Sequence, residues 1–332
     1  MRTQTLGAHG PTVPVICCGC MTLARGITDT DTARQSAART VEAALALGLN
    51  HFDHADIYQG GRAESLFGDW LAEHPSLRER LVIQSKCGIR PPDDSASCTR
   101  YDFSRAHIEA AVDGSLRRLR CEYLDVLLLH RPDALVDIEE LAVTVDDLVS
   151  SGKIRHIGVS NHSAAQMRLL ASVLPVPLIA NQMEFNPVHN ALVDYGLRVN
   201  RPDNPSAADG CDALEECRLG SVTIQAWSPL ARGFLSGRPA TEALTDARSQ
   251  AKFPLDRILQ TAHAINSLAR THAVPREAVV LAWILRHPAA IQPVIGTCDP
   301  ARLDACAKAV DVCLSRDQWY TVLTAGRGES IP

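Results

Sequence analysis

Aromatic residues are scarce in this chain of 332 residues, with 4 Trp, 5 Tyr and 6 Phe. A narrow, all-aromatic binding slot is hard to build from so few. There is no excess of positive charge: 33 Lys and Arg against 38 Asp and Glu leave a formal net charge of −5. The basic footprint of a nucleic-acid binder is therefore missing. No uncharged apolar run reaches the ~18 residues a membrane helix needs; Pro11–Ala24 and Leu169–Met183 fall short and are interrupted by prolines. The first residues, MRTQTLGAHG, lack the apolar stretch of a signal peptide. The eleven cysteines are an odd number, scattered through apolar segments of a chain too large to need staples. They read as reduced thiols in a cytoplasmic protein. Cys17 and Cys20 form a C-x-x-C, but no second pair follows at zinc-ligand spacing. With Cys18 between them in a strand-like run, they read as packing residues.

What is present is a repeated change of hydrophobic period. Short β-like runs occur at Val15–Cys18, Asn50–Asp53, Leu81–Lys86, Tyr123–His130, Ile154–Ser160, Pro177–Gln182, Val222–Ala226 and Ile291–Ile295. Helix-period segments separate most of them. In Thr32–Leu47, Val41 and Leu45 mark a buried stripe that Gly48 ends; Arg105–Leu119 opens on Ser104 as N-cap and lines up Ile108, Val112, Ser115 and Leu119. Eight strands alternating with helices imply a parallel sheet with right-handed crossovers. The count predicts an α/β fold, a (β/α)₈ TIM barrel. Thr3–Leu6 and Thr12–Val15 flank a turn and predict an N-terminal β-hairpin. Pro187–Gly210 reads as a long surface loop, and Asp256–His272 and Arg276–Arg286 as extra helices between strands seven and eight. No linker divides the chain, so residues 1–332 read as a single domain, and a single barrel can work as a monomer.

In such a barrel the chemistry lies where the strands end. Three adjacent strands finish on an ionisable residue: Asp53, Lys86 and His130. Placing them at an apolar rim costs desolvation unless they interact. Tyr58 follows Asp53 by five positions. A nearby ammonium favours the phenolate, so Lys86 is expected to lower the Tyr58 pKa towards the working range, with Asp53 holding Lys86 in place. A tyrosine so placed can give a proton to a carbonyl oxygen as hydride reaches the carbon, and His130 can polarise that oxygen. Two other chemistries use the same residues: a metal-dependent barrel hydrolase on His51, Asp53, His54 and His130, and a Schiff-base aldolase on Lys86.

The segments Asp53-His54-Ala55-Asp56-Ile57-Tyr58, Lys86, His130-Arg131-Pro132-Asp133 and Gly158-Val159-Ser160-Asn161 resemble signature elements of the aldo-keto reductases. The resemblance continues in order through Ala180-Asn181-Gln182, Trp227-Ser228-Pro229-Leu230, Leu281–Pro288 and Val294-Ile295-Gly296-Thr297. FDHADIYQGGRAESLFG and LVIQSKCGIR are most similar to the bacterial YdhF-type oxidoreductases of that family. The resemblance implies Tyr58 as general acid with Lys86, Asp53 and His130, acting on a small aldehyde or ketone. It implies Ser160, Asn161 and Gln182 around a nicotinamide carboxamide, Trp227 stacked on the ring, and Ser228, Pro229, Leu230, Arg232 and Gly233 around the pyrophosphate. Gly19, Cys20 and Met21 would complete the cofactor site from the first strand, and Ile295, Gly296, Thr297 and Arg302 from the last. Arg302 suits the 2′-phosphate of NADPH by its planar fork. Cys298 stands where many relatives carry Lys or Arg, and Ala305 and Cys306 replace a frequent Glu-Asn pair, which keeps NADH open as an alternative. The helix start after Thr297 is a further place for an anion. No resident metal is implied. A cofactor-holding regulatory subunit of low turnover would keep the same residues, and steady-state turnover separates it from an enzyme.

Overall fold

In the computed structural model, which describes residues 1–93, 96–199, 212–238 and 254–332, the first elements are short and antiparallel. Strands β1 (Thr3–Thr5) and β2 (Thr12–Pro14) pair with Thr3 opposite Pro14. Val13 of β2 and Leu6 just after β1 are fully buried and join Val82, Val126 and Ile179 from the barrel strands in one apolar cluster. The hairpin thus closes one end of the barrel.

The apolar runs become β3 (Cys17–Gly19), β4 (His51–Asp53), β5 (Val82–Cys87), β8 (Leu124–Leu129), β9 (Ile154–Ser160), β10 (Leu178–Glu184), β11 (Thr223–Trp227) and β12 (Gln292–Ile295). They pair in parallel and close on themselves, with Val294 of β12 opposite Cys17 of β3. A small antiparallel ribbon, β6 (Ile89–Arg90) and β7 (Arg100–Tyr101), decorates the exit from β5. Every residue of β5, β8 and β10 is buried, as parallel strands covered on both faces require.

Helices cover the outside. They are α1 (Thr30–Ala46), α2 (Arg62–Glu73), α3 (Arg105–Leu119), α4 (Ile138–Ser150), α5 (Ala164–Ala171), α6 (Ala191–Leu197) and α7 (Ala213–Leu219), then α8 (Leu255–His272), α9 (Arg276–Leu285), α10 (Pro300–Ala307) and α11 (Arg316–Arg327). The starts are set by capping side chains. Asp29 accepts from Thr32 N–H, Asp137 from Glu139 and Glu140, and Ser163 with Gln166 forms a reciprocal capping box. Ser104 caps α3, whose buried face is Ile108, Val112, Ser115 and Leu119 as expected.

Two local expectations need correcting. The buried stripe of α1 runs through Ala33, Ala37, Val41 and Ala44, while Leu45 is only partly buried. The segment Pro187–Gly210 is not loop throughout: α6 forms inside it because Leu192 and Val193 find cover in the core. The later part of that segment, from residue 200, lies outside the described residues. The doubled connection before β12 holds α8 and α9. Among the described residues, no helix is long and apolar enough to cross a membrane.

Candidate active site

The fold carries the ends of β4, β5 and β8 to one mouth of the barrel. Asp53 is the last residue of β4, Lys86 lies near the end of β5, and His130 follows β8 directly. Tyr58 reaches the same place through an unusual turn. Gln59, Gly60 and Gly61 take three successive left-handed conformations, with φ of 54°, 65° and 87°. At Gly61 the φ of 87° favours glycine, and a Cβ would sit 2.7 Å from Arg118 Cδ, which would have to shift. Gln59 is not a glycine, and its strain is offset by hydrogen bonds from Nε2 to Met21 O at 3.1 Å and Leu23 O at 3.0 Å.

The result is a compact cluster. Lys86 Nζ lies 2.7 Å and 2.8 Å from the two oxygens of Asp53, donates to His54 O at 2.7 Å, and lies 3.0 Å from the Tyr58 hydroxyl. Lys86 is wholly inaccessible to solvent. Burial works against its charge, yet Asp53 and then Tyr58 outweigh it and hold the ammonium above its usual range. Burial likewise opposes the Asp53 carboxylate, but Lys86 and donors from Gln84 and Gln182 keep it ionised and lower than usual. The expectation for Tyr58 is overturned: burial pushes its hydroxyl up, outweighing the lowering effect of Lys86. Tyr58 is therefore a protonated phenol at neutral pH. His130 stands edge-on to it at 6.2 Å between ring centres. Burial, and then Lys86, depress the imidazole to about 3, so it is neutral. Its Nδ1 is buried with no hydrogen-bond partner among the described residues.

Beneath this cluster is a layer of amides of which the sequence singled out Gln182 but not Gln84, Gln225 or Gln292. Gln84 Nε2 donates to Asp53 Oδ1 at 2.6 Å and to Gln225 Oε1 at 3.0 Å. Gln182 Nε2 donates to the same two acceptors at 3.1 Å and 3.2 Å. Gln225 Nε2 donates to Gln292 Oε1 at 2.9 Å, and Gln292 Nε2 to Pro14 O at 2.6 Å. The signal was a single glutamine inside each of three apolar strands.

The residues expected around a nicotinamide line the same mouth, although several already have protein partners. Ser160 Oγ donates to Gln182 O at 2.9 Å, and Asn161 Nδ2 to Ser160 Oγ at 2.8 Å and His130 O at 3.3 Å. Asn161 Oδ1 accepts from Trp227 Nε1 at 3.1 Å, which fixes the half-buried indole. Gly19 lies where β3 and β12 converge, and a Cβ there would stand 3.1 Å from Ile295 O. Cys20 is buried, whereas Met21 is exposed at the rim. After Trp227 the chain curls through Ser228, Pro229 and Leu230, with left-handed residues at Ser228, Arg232 and Gly233. Beyond buried Ile295, a Cβ built on Gly296 would meet open space, and Arg302 is exposed on α10. Thr297 Oγ1 accepts from Asp299 N–H at 3.2 Å. Asp299 itself caps α10, accepting from Ala301 N–H at 2.9 Å, so a carboxylate of the chain already occupies that helix start. The Cys298 thiol meets Thr22 Oγ1 at 3.4 Å, and the backbone carbonyl of Cys298 accepts from Thr40 Oγ1 at 2.9 Å.

Three other features of this region are settled by packing. Cys17 and Cys20 are buried, their thiols pushed well up chiefly by burial, which suits packing residues. His51 faces Gln292 inside the barrel and His54 packs edge-on against Phe67, so neither converges with His130. Among the described residues no group of three potential metal ligands forms. An ammonium held as firmly as Lys86 is also a poor amine nucleophile.

Asp56, just before Tyr58, gives a pH prediction. Burial, with Glu64 adding, pushes its carboxyl up to about 7. Between the ordinary carboxylate value of about 4 and this raised one, the folded state keeps a proton that the unfolded chain has lost. Stability therefore declines as pH rises through that window. Asp56→Asn should flatten the decline, so that Tm differs less between about pH 5 and about pH 8 than in the unaltered protein. An unchanged difference would show that Asp56 does not hold that proton.

A model of the aldo/keto reductase family matches residues 15–325. The chain is 37% identical over 336 residues to the 6-dehydroglucose reductase of Novosphingobium aromaticivorans, covering 99% of this chain and 97% of that protein. It is 36% identical over 293 residues to the oxidoreductase YdhF of Escherichia coli, covering 88% of each. Its fold superposes on the holo form of an aldo-keto reductase from Bacillus halodurans with a TM-score of 0.74 at 22% identity, over 98% of this chain and 96% of that one. With the barrel and its ordered strand-end residues, these matches show that the chain belongs to the aldo/keto reductase family and is an NAD(P)-dependent oxidoreductase.

Proposed function

We propose that the protein reduces an aldehyde or ketone to the alcohol with NADPH, NADH being the weaker alternative, and that Tyr58 donates the proton. The supporting observation is the Tyr58 hydroxyl 3.0 Å from Lys86 Nζ, with Lys86 paired to Asp53 and neutral His130 alongside. The donor set suits a dinucleotide: a flat indole at Trp227, polar side chains at Ser160, Asn161 and Gln182, and open backbone at Gly296. When bound, the nicotinamide supplies the hydride. The carbonyl oxygen would rest between Tyr58 and His130, which polarise it together. As negative charge grows on that oxygen, the O–H bond of Tyr58 breaks and the new alcohol O–H forms. Lys86, kept charged by Asp53, stabilises the phenolate left behind. The same reading takes residues 1–332 as one domain.

Substrate class is drawn from the mouth and from the relatives. Arg90 of β6 and Arg198 at the C-terminal end of α6 are tied up by Asp102 and Asp194. A small carbonyl compound fits this setting, and a sugar-derived aldehyde is the first to test, given the activity named for the Novosphingobium relative. Titration with NADPH and NADH should quench tryptophan fluorescence saturably, NADPH binding tighter, and a carbonyl screen should show loss of nicotinamide absorbance. If neither nucleotide binds up to millimolar concentration, the proposal fails. Arg302→Ala should weaken NADPH by about tenfold and NADH by less than twofold, since one charge-assisted pair accounts for about that factor. Equal losses would remove Arg302 from 2′-phosphate recognition.

A further inference from the structure

Three barrel strands carry the same dipeptide inside an apolar run: Ile83-Gln84, Ile224-Gln225 and Ile291-Gln292. The fold turns all three amides into the barrel, where each glutamine is fully buried. Barrel interiors are ordinarily filled by branched aliphatic side chains, and a buried amide is tolerated only when its polar atoms are met. The amides are instead joined in a chain from Pro14 O through Gln292 and Gln225 to Gln84. That chain ends on one oxygen of Asp53, and the contact at 2.6 Å is its shortest with a side chain of the cluster. Gln84 Oε1 has no hydrogen-bond partner among the described residues. Both N–H groups of Gln84 are engaged, one on Asp53 and one on Gln225, while its acceptor side faces His51.

We propose that Gln84 is a positioning residue for the Asp53–Lys86–Tyr58 cluster, bracing the Asp53 carboxylate against the amide chain so that both of its oxygens meet Lys86. This deepens, and rests on, the reading of Tyr58 as proton donor. By accepting from Gln84 at 2.6 Å as well as from Gln182 at 3.1 Å, Asp53 spreads its charge beyond Lys86, and Gln84 makes the shorter of the two amide contacts. Without the Gln84 donor only Gln182 would remain on that oxygen, so more of the charge would bear on Lys86 and oppose formation of the Tyr58 phenolate. The groups facing Tyr58 are Lys86, Asp53, Cys20 and His130. Of these, only Asp53 touches Gln84.

The test is a phenolate titration by ultraviolet absorbance, with Tyr58→Phe subtracted to isolate Tyr58. It is made on the ligand-free protein and on Gln84→Met, which keeps the volume but removes the donor. The Tyr58 transition should move up by about half a pH unit or more. NADPH affinity should change by less than twofold. Gln84→Asn, whose shorter amide withdraws from Asp53, should move it in the same direction and serves if Gln84→Met does not fold. A Tyr58 transition that stays in place while thermal stability falls would reduce Gln84 to packing and overturn the proposal. Because the titration needs neither cofactor nor substrate, it decides the role of Gln84 even if a carbonyl screen shows no turnover, which would defeat the reductase reading alone.

Discussion

Tyr58→Phe should lower the turnover of carbonyl reduction by about 10²–10⁴-fold, the range for loss of a positioned acid, while NADPH binds within about twofold of its original affinity. The substitution deletes one oxygen from a partly exposed ring and leaves the buried Lys86–Asp53 pair in place. Since burial keeps the hydroxyl protonated at neutral pH, no prior deprotonation is needed for it to act as an acid. Its conjugate base forms beside an ammonium, which lowers the cost of that charge when the proton leaves. Steady-state kinetics with a responsive aldehyde, together with fluorescence titration of NADPH, test both halves. Unchanged kcat would remove Tyr58 from the chemistry. Loss of NADPH binding as well would show a structural collapse of the mouth.

Lys86→Met should be more damaging, because it harms the fold as well as the reaction. Lys86 is fully buried and Asp53 nearly so, and removing one member of a buried pair typically costs about 3–5 kcal/mol. The variant would leave the Asp53 carboxylate with only the amides of Gln84 and Gln182. Without its ammonium, burial would raise that carboxyl above its unfolded value. Folding would then favour the protonated acid, so the destabilisation should be mild near the unfolded pKa and grow as pH rises. Thermal melts of Lys86→Met at about pH 5 and about pH 8 check the sign; equal losses at both would contradict it. Adding Asp53→Asn should recover most of the stability, since no buried charge is left unpaired, but not the activity. Recovery of turnover would show that the ammonium is dispensable.

Much of this architecture was legible in the chain itself. Short, near-continuous apolar runs separated by helix-period segments located the eight barrel strands within two residues of where they form, since burial on both faces demands such sequence. The positions of Asp53, Lys86 and His130 at strand ends, and of Tyr58 just after one, were also readable, because an ionisable residue closing an apolar run is an anomaly in one dimension. The Ser104 cap was legible because an N-cap is a local feature of the chain.

What required the tertiary structure was every quantity that depends on neighbours from other strands. Gln84, Gln225 and Gln292 look like isolated polar insertions until barrel closure brings residues far apart in sequence within hydrogen-bond distance. The Tyr58 hydroxyl was expected to be lowered by Lys86; the fold supplied the burial that outweighs it. The start of α10 looked free for an anion until Asp299 was seen to cap it, and α6 formed only because the barrel offered Leu192 and Val193 a place to bury. Chain order alone determined the barrel plan and the strand-end residues, for hydrophobic period and residue type are local. Protonation states, the amide layer and the aim of Tyr58 were decided by the closed barrel, because desolvation and hydrogen bonding depend on groups that only folding brings together.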